Sequence, residues 1–181
     1  MNVYIDNSHR MKPTHTAKRV MGRAGAVLHS SEGYDSLDWL QGHDPDQPKP
    51  ASADFLISRA GNLYQLTQPG FFSYHVGIGK WHNLNNDKGM LNELLVGIEM
   101  ESHGSQTPRY TDIQLVVCAA LIRKLMMQHL FPITHVTYHR DIALPPGRRS
   151  DPVNFPAWVW TRELLYPSAL ASSFVWPVVL P

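Results

Sequence analysis

The segment Tyr138-His139-Arg140-Asp141-Ile142-Ala143-Leu144-Pro145-Pro146-Gly147-Arg148-Arg149-Ser150-Asp151-Pro152 sets a histidine and a carboxylate at the two ends of a Pro/Gly loop. The loop is too proline-rich for a helix to run through it, so it is expected to fold back and bring His139 and Asp151 to one point. Val136 to Tyr138 reads as a short strand that delivers His139. Two such groups do not complete a catalytic zinc site, which takes three protein ligands and keeps a fourth position for water. The best third candidate is His29. It ends the apolar run Ala24-Gly25-Ala26-Val27-Leu28 and precedes Ser30-Ser31-Glu32-Gly33. That pattern predicts a short buried strand whose last residue projects at the sheet edge, where sites sit in sheet-and-helix folds. His29 and His139 are far apart in the chain, so spacing says little. Any one of the ten histidines has the plainer alternative of a surface or hydrogen-bonded imidazole.

A second informative stretch is Leu95 to Glu101. Strand alternation puts Val96, Ile98 and Met100 on one face and Gly97, Glu99 and Glu101 on the other. A carboxylate in an apolar strand is costly to bury without a partner, but useful beside a water that must lose a proton. Glu99 and Glu101 are both candidates on this ground, and a solvent-facing edge strand is the alternative.

The rest of the chain reads as scaffold. Ala53 to Ser58 and Leu63 to Thr67 are strand-like, joined by Arg59-Ala60-Gly61-Asn62 as a hairpin with a glycine in its turn. Tyr34 to Gln41 has helical character and stops at Gly42. The prolines of 43–50 mark a loop, and Lys80 to Met90 reads as a variable loop. Tyr110 to His129 is the clearest helix, with Thr111 and Gln114 as a capping box and Pro132 beyond its end. A further helix fits Pro156 to Tyr166. Met1 to Ile5 could form an edge strand, and Ser168 to Pro181 is an apolar tail expected to pack on the domain.

Composition narrows the class. At 181 residues a single domain is expected over 1–181, with a core over 24–166, an N-terminal arm over 1–23 and a C-terminal tail over 167–181. Hydrophobic content of 43% and charged content of 17% are those of a soluble globular protein. A net charge of +1 argues against a general nucleic-acid binder. The lone cysteine, Cys118, has no internal disulfide partner and reads as inert core. Met1 to Val20 lacks the apolar region of a secretory signal, and no stretch has the length of a membrane span.

Several blocks in order resemble one family. They are Val27-Leu28-His29-Ser30-Ser31, the stretch Ser52 to Leu66, Tyr74-His75-Val76-Gly77, Asn92 with Val96-Gly97-Ile98-Glu99, Tyr110 to Gln114, and His139 to Ala143 with Arg149-Ser150-Asp151-Pro152. Together they are similar to the zinc N-acetylmuramoyl-L-alanine amidases, which share a fold with peptidoglycan recognition proteins and small phage lysins. The resemblance implies an α/β fold with a central mixed β-sheet flanked by helices and a metal in a surface groove. It implies Zn²⁺ held by His29, His139 and Asp151, Glu99 as the acid–base residue, and Tyr74 and His75 lining the groove. Arg149 stands where many members carry lysine, and is expected to stabilise an oxyanion without donating a proton.

The implied activity is cleavage of the amide between N-acetylmuramic acid and L-alanine in peptidoglycan, by a monomer without stable membrane insertion. A lysin made in the cytoplasm and released onto the wall fits the layout best. The alternatives are a cytoplasmic amidase that recycles muropeptides and a non-catalytic peptidoglycan-binding module. The filled ligand positions argue against the module.

Overall fold

The computed structural model describes residues 5–11, 15–31, 33, 36–41, 52–103 and 109–156. In chain order its strands and α-helices are β1 (Ile5–Asp6), β2 (Thr16–Lys18), β3 (Gly25–Ser30), α1 (Ser36–Gln41), β4 (Phe55–Ile57), β5 (Leu63–Gln65), β6 (Phe71–Ser73), β7 (Lys80–Trp81), β8 (Leu84–Asn85), α2 (Met90–Leu94), β9 (Leu95–Met100), α3 (Asp112–His129), β10 (Val136–Tyr138) and α4 (His139–Ile142). Six strands form one mixed sheet in the order β1-β5-β4-β9-β3-β10. The central strands β9 and β3 are parallel to each other, and β4 and β10 extend the parallel set on either side. Strands covered on both faces need apolar residues at nearly every position, and β3 and β9 have them.

Alternation then sorts the two faces. Ala26, Leu28, Val96, Ile98 and Met100 join Val117, Leu121 and Ile122 of α3 in the main core. Cys118 lies in the same core, where burial pushes its thiol up, away from reactivity. Val27 belongs to a smaller cluster on the other face with Val76, Trp81, Leu91, Leu95 and Ile142. The expected capping box starts α3: the Thr111 hydroxyl accepts from the Gln114 N–H, and the Gln114 side chain accepts from the Thr111 N–H. The β4–β5 hairpin also forms as read, with Gly61 at φ 82° in the turn.

Two readings need correction. Lys80 to Met90 is not an open loop: β7 and β8 pair as a tight hairpin, with His82 left-handed at φ 51° between them, and a 3-10 turn and α2 follow. Polar turn residues hid two strands of only two residues each, too short to show alternation. His139 does not enter the loop directly, because one helical turn, α4, comes before the prolines. Strand β1 lies parallel to β5 at the end of the sheet, where Ile5 faces Leu63; of the Met1 to Ile5 stretch read as an edge strand, only Ile5 is among the described residues. The 43–50 loop, the Pro156 to Tyr166 helix and the 168–181 tail lie outside the described residues. Among the described residues, no helix is long and apolar enough to cross a membrane.

Candidate metal and active site

Strand register builds the site. In the parallel β3–β9 pair, His29 lies beside Glu99, and Val27 beside Gly97. In the β3–β10 pair, Tyr138 lies beside Leu28, so the next residue, His139, emerges next to His29. Three neighbouring strands thus release Glu99, His29 and His139 at their carboxyl ends, where clefts form in open α/β sheets. The loop after α4 closes the arrangement. The Arg140 N–H donates to the Asp151 carbonyl at 2.9 Å, which brings the Asp151 side chain back over the two rings.

His29, His139 and Asp151 each offer a ligand atom, and these atoms lie within 4.8 Å of one another. Asp151 Oδ2 is 3.0 Å from Nδ1 of His139 and 3.4 Å from Nδ1 of His29. A tetrahedral zinc, with ligand bonds of ~2.0–2.1 Å, spaces its ligands ~3.3 Å apart. The chemistry of the donor set can be tested from the far side of each ring. Nε2 of His139 is 3.1 Å from the Val76 carbonyl, which only accepts, so Nε2 carries the hydrogen. Nε2 of His75 is 3.1 Å from the Leu95 carbonyl and carries a hydrogen for the same reason. Its Nδ1 is then the acceptor for Nε2 of His29 at 3.0 Å. In the neutral rings, both His29 and His139 therefore turn an Nδ1 lone pair toward a carboxylate oxygen. Three acceptors converge with no proton among them, an arrangement that fits a cation.

Electrostatics agree with neutral His29 and His75 rings. Burial lowers His29 to about 4, with His139 and Arg149 adding to the effect and Asp151 opposing it. Burial first, then the neighbouring His29, holds His75 well below the usual histidine range. Burial alone would raise Asp151, but the adjoining His139 and His29 outweigh this and hold it far down as a carboxylate. Glu99 is pushed up to about 8, by burial first and by the Asp151 charge second, with Arg149 pulling the other way.

These groups line a groove of about 700 Å³ together with Trp39, Tyr74, Gly77, Arg148 and Arg149. Trp39 and Tyr74 are exposed within it, at 41% and 38%. Arg149 is exposed, whereas Arg148 is tied down, its guanidinium donating to the carbonyls of Leu144, Val76 and Ile78. His75 lies deeper than Tyr74: it is buried under His29, with one edge on Leu95. Glu101 stands beyond β9 and is occupied by scaffold, since its carboxylate accepts from the Arg59 N–H at 2.9 Å. His135 donates from Nδ1 to the Ala24 carbonyl at 2.9 Å, away from the three ligands.

Sequence reasoning passed over Asn92 and Arg148. Asn92 Oδ1 accepts from both the His75 and Val76 N–H groups, at 2.9 and 2.8 Å. Neither has a local signature, because each acts on backbone atoms remote in sequence.

The sequence profile of the N-acetylmuramoyl-L-alanine amidase family matches residues 21–154, and the chain belongs to that family. Among curated relatives, the 1,6-anhydro-N-acetylmuramyl-L-alanine amidase AmpD of Escherichia coli strain K12 is 33% identical over 111 residues, 61% of this chain and 55% of the relative. The protein of the same name from Enterobacter cloacae is 32% identical over 111 residues, 61% of this chain and 54% of the relative. The chain thus spans about half the length of these relatives. The fold is shared with a selenomethionine derivative of AmpD, at a TM-score of 0.66 and 22% identity, covering 90% of this chain and 93% of that one. It is also shared with the E. coli amidase AmiD bound to anhydro-N-acetylmuramic acid-L-Ala-D-gamma-Glu-L-Lys, at a TM-score of 0.60 and 21% identity, covering 87% and 60%. The catalytic domain of XlyA matches at a TM-score of 0.57 and 18% identity, covering 82% and 89%.

Proposed function

We propose that the protein hydrolyses the amide bond between N-acetylmuramic acid and L-alanine in peptidoglycan or its fragments, with Zn²⁺ held by His29, His139 and Asp151. The observation that carries this reading is the convergence of two imidazole lone pairs and a carboxylate beside Glu99. A zinc bound there supplies Lewis acidity and makes a water acidic enough to attack near neutral pH.

The chain's own residues do the rest. Glu99 takes the proton of the attacking water and passes it to the departing nitrogen of L-alanine. For that it must exchange protons near neutrality, and its position between burial, the Asp151 charge and Arg149 sets it there. Arg149, exposed at the groove wall, faces the charge that develops on the carbonyl oxygen and stabilises it. Trp39 and Tyr74 offer exposed aromatic faces to the sugar or stem peptide.

Two substrates fit this chemistry, intact wall and soluble anhydromuropeptide. The curated relatives, at 32–33% identity, are amidases of 1,6-anhydro-N-acetylmuramyl-L-alanine, which favours the soluble fragment and a cytoplasmic role. Purified protein incubated with sacculi and, separately, with anhydromuropeptides tests both. Release of new L-alanine amino termini that stops with chelator and returns with zinc is expected from at least one. No release from either substrate by zinc-loaded protein refutes the activity.

A further inference from the structure

We propose that His75 is a positioning residue, holding His29 in the one tautomer whose Nδ1 can bind the metal. This rests on the reading of His29, His139 and Asp151 as metal ligands.

An imidazole at the end of a strand can present either nitrogen. At His29 the choice is made from behind. His75 Nε2 lies 3.1 Å from the Leu95 carbonyl, which has no hydrogen to give. The ring must therefore donate there and accept at Nδ1. His29 Nε2, 3.0 Å from that atom, must donate in turn. The two ring planes stand nearly perpendicular, at 88° with centroids 5.1 Å apart, and meet through the 3.0 Å contact of His29 Nε2 with His75 Nδ1. The polarity of one backbone carbonyl is thereby passed through two rings to the metal-facing nitrogen. Ligand histidines elsewhere gain orientation and basicity from such outer partners.

The place for His75 is built by three further features. A Cβ on Gly97 would lie 2.6 Å from His75 Cγ, so the ring fits only because β9 carries a glycine at that point. Asn92, itself buried, fixes the His75 and Val76 backbone through two N–H donors to one oxygen. The Val76 carbonyl then accepts from His139 Nε2. A two-residue segment thus orients both ligand histidines, one through a side chain and the other through the main chain. His75 reaches the groove with only 8% of its surface exposed, unlike its neighbour Tyr74 at 38%.

The test compares His75→Met with His75→Gln, side chains of similar length of which only Gln has an amide to accept and donate. Zinc affinity is measured by competition with a chromophoric chelator, and the ligand field by the visible spectrum of the Co²⁺-substituted protein. His75→Met is expected to weaken zinc binding about 10–100-fold and to shift the cobalt bands, with Gln losing distinctly less. Unchanged affinity and spectrum in His75→Met overturn the inference, as do equal losses in both variants, which would mean the ring acts by packing. Imidazole 15N spectra of the zinc-loaded wild type decide the matter even if a variant fails to fold. They should show His75 as the Nε2–H tautomer, with the His29 Nε2 hydrogen shared toward it, and the Nδ1–H tautomer of His75 would overturn the proposal. A wild type that takes up no stoichiometric zinc sinks the metal reading, and this inference with it. Zinc uptake that is indifferent to His75 sinks this inference alone.

Discussion

Two carboxylates at the parallel strands, Asp54 buried and Glu99 half-buried, have opposite surroundings. Asp54, beside the start of β9, is saturated: its oxygens accept from the Arg23 guanidinium and the Gly97 N–H, each at 2.9 Å. Arg23 is satisfied in its turn, donating to the carbonyls of Asn92, Glu93 and Leu95 at the end of α2. Glu99, two residues along β9 from Gly97, has no hydrogen-bond donor for its carboxylate among the described residues. Burial raises both acids, but only Asp54 has neighbours that answer the cost. A carboxylate surrounded by fixed donors is a strut. One left without them keeps its proton exchangeable and faces the groove, as acid–base work requires.

That contrast can be broken in several ways. The largest effect is expected from a strong zinc chelator, which should abolish amide hydrolysis while leaving the Arg23–Asp54 cluster intact. Activity assays and far-ultraviolet circular dichroism on the same sample check both halves. Glu99→Gln should come next, losing about 10²–10⁴-fold in turnover while folding normally and keeping its zinc. A variant with wild-type activity removes Glu99 from the mechanism. Asp54→Asn should show the reverse pattern, since it leaves a buried guanidinium without its counter-charge. A loss of about 3–5 kcal/mol in urea unfolding is expected, with zinc affinity per folded molecule unchanged.

The pH dependence of the metal-free protein sharpens the same comparison. Glu99 has a folded pKa of about 8 against an ordinary value of 4.5, so the folded state holds the proton more tightly than the unfolded chain. Its stabilising contribution is full below about pH 4.5 and declines as pH rises toward 8. Glu99→Gln cannot ionise, so it should lose less stability than wild type between pH 5 and 8.5 in denaturant titrations. Parallel curves for the two proteins would show that Glu99 is not held protonated by the fold. The smallest effect is expected from the conservative change at Arg149. Arg149→Lys should stay within about tenfold of wild-type turnover because the cation remains, whereas Arg149→Ala should lose about 10²–10³-fold.

Some of this organisation was legible before any coordinates. The apolar run into His29, the prolines between His139 and Asp151, the capping box of α3 and the β4–β5 turn all carry local signals, and local signals act over a few residues. The three candidate ligands could be named because two lie next to strand ends and one follows a loop that must turn back. Glu99 could be named with Glu101 but separated from it only by family resemblance. In the structure the difference is plain, as Glu101 is taken up by the Arg59 N–H and Glu99 stands in register with His29. The β7–β8 hairpin escaped notice because two residues are too few to display a period.

Patterning along the chain was enough to specify the central strands of the main sheet, the long helix and the kind of chemistry their ends could support, since hydrophobic period, proline stiffness and side-chain type are properties of the polypeptide alone. Tertiary structure decided which nitrogen each histidine presents, why His75 lies beneath His29, and which of two acids is a strut. Those outcomes depend on the Leu95 and Val76 carbonyls, the missing Cβ of Gly97 and the Arg23 guanidinium. Such groups meet their partners only when strands distant in sequence lie side by side, because a hydrogen bond extends about 3 Å and has no counterpart in linear spacing.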